Sequence, residues 1–321
     1  MKRKEEKIAK LFDWLGGKRW LKEQLSGLVS SLLSKNKNIK FYIEPFAGGL
    51  GSFEAVSKEL KKYNIKKVYL NDVNYVLINF YRCVKEDPKK CLDLFSVIEK
   101  DYIKTLTEKS KTLNKTRDKE EMRKELTEAY GFYIKVRENF NVQKKLEKNL
   151  DFELSSMFLF LQAHCFNGVY RENSSGEHNV GFNWDSKIIK IENKEKSLNH
   201  YHQLFKEFDI EFVNKNYSDF LSNFDKSTLD NSLIYLDPPY VNFEERSSEN
   251  KYSKNPFGLK EQDHLLSFFR ENKHLIYSNH DIEDIKKKLG DCSILTINRT
   301  NHISAGKDRD AEMLEILASK G

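Results

Sequence analysis

Short apolar runs of strand length recur at 41–43 (Phe-Tyr-Ile), 68–70 (Val-Tyr-Leu), 233–236 (Leu-Ile-Tyr-Leu), 275–277 (Leu-Ile-Tyr) and 293–297 (Ser-Ile-Leu-Thr-Ile). Each leads into a polar or glycine-containing turn and then a longer stretch of helical spacing, as at Phe53, Val56 and Leu60 or Leu265, Leu266 and Phe269. The alternation predicts an α/β fold with a mostly parallel sheet, in which ligands gather at the carboxyl ends of strands. An amphipathic helix through Leu21, Leu25, Leu28 and Leu32 precedes the first strand. Between about 83 and 200 the strand pattern stops. Residues 84–150 read as helical, with Lys and Glu at i, i+4 spacings and no proline after Pro88. The stretch 158–184 opens apolar and aromatic and then fills with Asn, Gly and Ser. It predicts a helix leading into an irregular loop or hairpin with its tip near Ser174, Ser175 and Gly176. No repeat or low-complexity linker sets this region apart. It reads as a mainly helical domain over 83–200, inserted into a frame made of 1–82 and 201–321.

Composition narrows the class. A chain of 321 residues can bury a substantial core. Its start, MKRKEEKIAK, has no apolar stretch of signal-peptide type, and no run of eighteen apolar residues occurs. Those features lead to the expectation of a soluble, cytoplasmic protein. The four cysteines, Cys83, Cys91, Cys165 and Cys292, show neither C-x-x-C nor compact metal-ligand spacing, which argues against a disulfide scaffold or a zinc site. His200 and His202 have no acidic or cysteine partner nearby in sequence, and no metal is expected. The formal charge is +6, and residues 100–150 hold 14 Lys+Arg against 9 Asp+Glu, an excess of five. Such a stretch is either a solvated helix face or a phosphate-binding surface.

The strongest local chemistry follows the run Ser232–Leu236: Asp237-Pro238-Pro239-Tyr240. Each proline fixes φ and removes a donor, so the chain leaves the strand rigidly with free carbonyls. The turn can offer a carboxylate, a main-chain carbonyl and an aromatic face to one planar group. Transfer of a methyl group to an aromatic exocyclic amine needs that set. The nitrogen lone pair is delocalised into the ring, and two acceptors for its N–H bonds draw the nitrogen toward tetrahedral geometry and free the pair for in-line attack. A loop-stabilising Pro-Pro turn is the alternative.

Two glycine clusters add ligand-shaped turns. In Glu44-Pro45-Phe46-Ala47-Gly48-Gly49-Leu50-Gly51-Ser52 a strand passes through glycines into a helix, and about twenty residues later the next strand ends in Asn71-Asp72, where a carboxylate can bind a ribose diol. The spacing is not the G-x-G-x-x-G of dinucleotide sites. Ahead of it, Trp14-Leu15-Gly16-Gly17-Lys18 can bind a carboxylate and cover an apolar group. A packed Trp beside a helix-start lysine is the plainer reading.

Taken in order, W-L-G-G-K, E-P-F-A-G-G-L-G-S, L-N-D, F-N-G-V-Y-R-E-N, D-P-P-Y and a late R-T-N-H-I-S…R…E resemble the Dam-type, D12-class DNA adenine-N6 methyltransferases, from residue 12 to about 317. The resemblance implies a Rossmann-like methyltransferase fold with an inserted target-recognition domain, S-adenosylmethionine as cofactor and double-stranded DNA as partner. It implies cofactor contacts from Trp14, Gly16, Gly17, Lys18, Glu44, Pro45, Phe46, Gly48, Gly49, Gly51 and Ser52, with Lys18 near the methionine carboxylate and Asp72 on the ribose. Asp237 would touch both cofactor and target amine, and Pro238 and Tyr240 complete the catalytic loop. Asn216-Tyr217 or Asp219-Phe220 would hold the cofactor adenine, the former favoured by its distance from Asp237. Phe166, Asn167, Gly168, Arg171, Asn173 and Asn179 match the family's DNA-reading hairpin, where an aromatic fills a vacated stack and an arginine reaches a base edge. Arg299, Ile303, Arg309 and Glu312 match its carboxyl-terminal motif.

As the resemblance has it, members that read GATC commonly have lysine just before the tryptophan, where this chain has Asp13. A carboxylate accepts from cytosine or adenine amines and cannot donate to guanine, so the target sequence is open. A cognate restriction endonuclease is a partner to seek in a bacterial or phage setting. Two other readings remain: an idle DNA-binding protein on this scaffold, and a methyltransferase acting on RNA or a small amine.

Overall fold

In the structure, a computed structural model, residues 10–14, 16–107, 119–184, 188–241, 257–300 and 312–321 are described, with only the backbone for Lys119, Arg299, Thr300, Glu312 and Met313. A 3-10 turn at Arg19–Leu21 leads into α1 (Lys22–Lys35), β1 (Phe41–Glu44), α2 (Gly51–Lys62) and β2 (Lys67–Asn71). There follow α3 (Tyr75–Glu86), α4 (Pro88–Lys104), α5 (Lys119–Glu125), α6 (Thr127–Lys144), α7 (Phe152–His164) and α8 (Ile191–Lys206). The chain then runs through β3 (Asp209–Val213), α9 (Tyr217–Leu221), α10 (Lys226–Asp230), β4 (Ser232–Leu236), α11 (Leu259–Glu271), β5 (Leu275–His280), α12 (Glu283–Leu289), β6 (Ser293–Thr300) and β7 (Glu312–Lys320). Among the described residues no helix is long and apolar enough to cross a membrane.

Local chemistry places several boundaries. Asn74 caps α3, its side chain accepting from the amides of Val76 and Leu77. Asp87 ends that helix and caps the next, accepting from Lys90 N with Pro88 in the first turn. The helical stretch expected over 84–150 is therefore broken into segments, and the first of them begins at Tyr75.

Contacts divide the chain into two compact units. In the first, which holds 17–73 and the described residues from 209 onward, seven strands form one sheet of order β3-β2-β1-β4-β5-β7-β6. It is parallel except for β7, which runs antiparallel to both β5 and β6. The sheet is mixed α/β and mostly parallel, as expected. The apolar run at 293–297 departs from the expected strand-then-helix pattern. It forms the edge strand β6, whose described partner is the returning β7, and Ile294 and Leu295 are exposed there. Two strands had no apolar run to mark them. The strand β3 alternates between exposed and buried residues, and β7 carries Glu315 in the middle of its apolar stretch.

The chain runs β1-β2-β3 to one side of β1 and places β4 and β5 on the other, so the order reverses between β1 and β4. At such a point the helices diverge and a crevice opens beyond the carboxyl ends of the two strands. Glu44 ends β1 and Asp237 follows β4 directly. All five residues of β4 are buried, which anchors the turn that follows.

The second unit holds 10–16 and the described residues of 74–208. There α4 packs against α7 and α8, and α6 against α7. Its core is aromatic, built on Tyr102, Tyr133, Phe140, Phe158 and Phe160, each such ring contributing roughly 2 kcal/mol through burial. Inside it, His164 Nε2 and Glu99 Oε2 are 2.8 Å apart, and the other Glu99 oxygen accepts from Ile189 N. The Asn79 side chain donates to Asp151 O and Ser155 Oγ and accepts from Asp151 N, fixing α3 against the start of α7.

Candidate active site

The amino-terminal segment and the glycine turn meet backbone to backbone. A Cβ added to Gly51 would lie 3.1 Å from the amide nitrogens of both Lys18 and Arg19, so any side chain there would have to push this approach apart by a few tenths of an ångström. Arg19 closes the contact by donating to Glu54 on α2. Gly16 and Gly48 have left-handed φ of +78° and +45°, and Leu50 turns the same way at +60° before the helix starts. The turn is tied to β2 by Ala47 N donating to Asn71 O and Gly48 N donating to Asp72 Oδ2, 2.8 and 2.9 Å. Asn71, buried, donates to the carbonyls of Pro45 and Lys215 and accepts from Lys215 N. It thereby joins the glycine turn to the loop before α9. Asn216 caps α9 through Ser218 N, and Tyr217 is buried with its ring 5.2 Å from that of Phe46. Its hydroxyl donates to Glu261 O at 3.0 Å. Of the alternative pair, Phe220 lies in the core and Asp219 is exposed.

At the switch point three carboxylates and one ammonium come together. Lys18 is 2% exposed, and its Nζ donates to Tyr240 Oη and to Glu315 Oε2 (3.1 Å) and lies 3.4 Å from Asp237 Oδ1. Tyr240 Oη in turn donates to Glu315 Oε2 at 3.2 Å. The side chain of Asp237 keeps 16% of its surface open while Pro238 beside it is buried, so one face of the carboxylate is presented outward. Glu44 is fully buried at the end of β1, and Tyr42 Oη donates to its Oε1 at 3.1 Å. Burial pushes the Glu44 carboxyl up to about 8, and the neighbouring Asp237 charge adds to the rise. The hydroxyls of Ser52 and Tyr42 temper the rise. Near neutral pH Glu44 is protonated, and Lys18 lies between the carboxylates of Asp237 and Glu315. Such a pocket attracts a cation and supplies acceptors to an amine.

The expected hairpin lies in the helical unit as a loop pinned by two isolated bridges, Cys165↔Phe182 and Glu172↔His178. Helix α6 holds it from outside the ladder. Tyr133 Oη and Arg137 both donate to Val180 O, and the Asn141 amide pairs with both backbone groups of His178. Lys144 donates to Glu172 and to Gly176 O. These residues recur every three or four positions, one stripe of a helix. Asn173 shapes the tip, its Oδ1 accepting from Ser175 N and Glu177 N. Arg171 is exposed, and its Nε donates to Asn179 Oδ1 at 2.9 Å, which sets the direction of the guanidinium. Phe166 is 54% exposed, and Asn167 and Gly168 turn left-handed after it at φ +56° and +62°. A Cβ on Gly168 would come 3.3 Å from Asp13 Cβ, so the position before Trp14 lies against this turn. The Trp14 ring stacks on Tyr170, centroids 5.7 Å apart, and Tyr170 stacks on the buried His178. Trp14 thus belongs to the hairpin's unit, while Lys18 belongs to the sheet's.

A family model for the D12 class N6 adenine-specific DNA methyltransferases matches residues 14–303. The chain belongs to this family. It is 31% identical over 265 residues to the type II methyltransferase M.MjaIII of Methanocaldococcus jannaschii, covering 80% of this chain and 78% of that one. To the DNA adenine methylase of Haemophilus influenzae it is 25% identical, covering 96% and 92%. To the DNA N-6-adenine-methyltransferase of Escherichia phage P1 it is 27% identical over 81% of this chain, but only 28% of that larger protein.

As a member of this class the chain is an adenine-specific DNA methyltransferase, and its substrates are DNA and a methyl donor. The sheet, with its one antiparallel strand, is consistent with a methyltransferase fold. Sequence reasoning did not reach Glu315, which carries no motif signal: it is one acidic residue in an apolar strand, 297 positions from Lys18. Asn141 and Lys144 were read only as parts of a charged helix. Of the carboxyl-terminal motif, Ile303 and Arg309 lie outside the described residues, as do the side chains of Arg299 and Glu312.

Proposed function

We propose that the enzyme methylates N6 of an adenine flipped out of double-stranded DNA, at a specific site, with S-adenosylmethionine as donor. The observation that carries this reading is the Lys18, Asp237, Tyr240 and Glu315 cluster at the sheet's switch point, with Asp237 partly open. The residues present fit the donor. A carboxylate-rich cluster suits a sulfonium, the buried Glu44 side chain offers a polar group beside it, and Asp72 adds an acceptor already aligned by Gly48 N. Bound there, S-adenosylmethionine supplies an electrophilic methyl group. Trp14, Gly16, Gly17, Lys18, the 44–52 turn, Asp72, Asn216 and Tyr217 are assigned to holding it.

Asp237 and the Pro238 carbonyl accept the two N–H bonds of the adenine amine, which concentrates the lone pair on nitrogen. As the N6–methyl bond formed, the donor's sulfur–methyl bond would break and its sulfur would leave as a neutral thioether, while the nitrogen, made cationic, would return to neutrality by losing a proton toward the Asp237 carboxylate. The Tyr240 ring, 4.2 Å from that of His280, is set to stack on the base. Phe166, Asn167, Gly168, Arg171, Asn173 and Asn179 are assigned to duplex recognition, with Phe166 filling the vacated stack. Residues 1–82 and 201–321 would then be the catalytic domain and 83–200 the recognition domain. A cognate restriction endonuclease fits the type II relative.

Tritium transfer from S-adenosylmethionine to DNA, RNA and mixed metabolites, followed by nucleoside identification, tests the reading. Label is expected in N6-methyladenine of duplex DNA. Label absent from DNA adenine, or an Asp237→Ala variant of near-normal rate, would overturn it.

A further inference from the structure

We propose that Glu315 is a positioning residue for methyl transfer: it shares the charge of Lys18 and holds Tyr240, leaving the Asp237 carboxylate less neutralised by the ammonium and oriented toward the amine. This rests on the function proposed above.

The argument begins with the ammonium. An unpaired charge as deeply buried as Lys18 would be costly, so it needs partners. It has three N–H donors and three acceptors around it: Tyr240 Oη, Glu315 Oε2 and Asp237 Oδ1. Glu315 is the nearer carboxylate, 3.1 against 3.4 Å, and the more buried, 1% against 16% exposed. Charge interactions strengthen as water is excluded, so the stronger pairing is with Glu315. Were Asp237 the sole counter-ion, the ammonium would offset more of its charge. With Glu315 in place, one ammonium serves two carboxylates, and Asp237 retains negative character for a developing cation.

The same residue orients the ring. Tyr240 Oη accepts from Lys18 and donates to Glu315, a closed triangle that fixes the hydroxyl. Glu315 stands opposite His280 in the β5–β7 register, and His280 packs on the Tyr240 ring. The antiparallel strand β7 therefore brings a carboxylate from the carboxyl-terminal end of the chain to the carboxyl ends of the central parallel strands.

Among the described residues, the titratable groups around Asp237 include Lys18 ahead of α1, Tyr42 and Glu44 on β1, Tyr235 and Tyr240 on and after β4, Tyr277 and His280 on β5 and Glu315 on β7. The tyrosines stay neutral through the working range, their pKa values all raised with burial as the largest cause. Glu44 stays protonated on the acid side. We assign the acid limb of activity to Asp237 between Lys18 and Glu315, and the variants below separate that assignment from titration of His280.

Kinetics on the full chain with duplex DNA test the assignment. Glu315→Gln should lower kcat ten- to hundredfold, leave DNA binding unchanged and move the acid limb of kcat to lower pH, because removing a negative neighbour makes Asp237 easier to ionise. Glu315→Asp keeps the charge, so its limb should stay at the wild-type pH while kcat falls. A purely structural role would lower the melting temperature and leave the limb in place. Wild-type kcat in Glu315→Gln, or an unmoved limb, overturns the proposal. If Glu315→Gln does not fold by circular dichroism, Glu315→Asp decides: a lowered kcat at an unchanged melting temperature supports the positioning role, and wild-type kcat, or a kcat that falls only together with the melting temperature, overturns it. Asp237→Ala, run alongside, separates the two claims: adenine methylation by that variant sinks the proposed function, whereas an inactive Asp237→Ala beside a normal Glu315→Gln sinks only this inference.

Discussion

The backbone amide of Gly48 donates to the carboxylate of Asp72 across 2.9 Å, so the glycine turn after β1 sets the position of the acid that ends β2. The bond constrains one carboxylate oxygen in the ground state, before any ligand arrives.

Asp72→Ala is expected to raise KM for S-adenosylmethionine ten- to a hundredfold, the loss of one or two charge-assisted hydrogen bonds at about 1.5 to 3 kcal/mol in total. Because the residue is remote from the transferred group, kcat should fall less than KM rises. Titration calorimetry with the cofactor alone checks the binding term.

Glu44 makes stability depend on pH in an unusual direction for a carboxylate. Its folded pKa of about 8 exceeds its ordinary value, so the folded state holds the proton more tightly. That contribution is complete below the ordinary carboxylate range and is lost as pH rises through about 8. Glu44→Gln should therefore show a flatter decline in unfolding free energy between about pH 4.5 and 8 than the wild type, by a few kcal/mol. Urea melts of both proteins across that window, with identical slopes, would contradict the buried protonated carboxyl.

Lys144 is committed inside the hairpin, so its removal should affect recognition more than bulk affinity. With Lys144→Met, Glu172 loses its cation and the tip at Gly176 O loses its donor. Preference for the chosen site over other adenines should fall about tenfold, about 1.4 kcal/mol. The salt dependence of binding should keep its slope, since the ammonium is already neutralised within the protein. Methylation mapped on genomic DNA, paired with binding isotherms, reads both.

The basic excess of 100–150 predicts binding that weakens as salt rises. Neutralising the exposed Lys100, Lys124 and Lys135 to Gln should reduce the log–log slope by about 0.9 for each phosphate that is no longer neutralised. Asp237→Ala should leave the slope as it is. A three-lysine variant with an unchanged slope would show that this face is merely solvated.

Motifs made of neighbouring residues were legible from the chain alone. Gly48, Gly51, the Asp237-Pro238-Pro239-Tyr240 turn and the Phe166-Asn167-Gly168 turn each encode a backbone shape that local sterics dictate, and strand-then-turn periodicity placed most of them at the ends of β1 and β4. The alternation of runs also implied the parallel sheet, since buried central strands such as β4 are almost wholly apolar. What local pattern could not convey was pairing across long separations. That β7 inserts antiparallel beside β5 and delivers Glu315 to Lys18 follows from sheet order, because one acidic residue in an apolar strand looks the same whether it faces solvent or an ammonium. The stripe of Tyr133, Arg137, Asn141 and Lys144 reads as a solvated helix until the hairpin folds against it. Burial has the same character: Glu44 was visible as a residue of the glycine motif, but its protonation was set by the walls that the rest of the sheet builds around it, since desolvation depends on neighbours the motif does not contain.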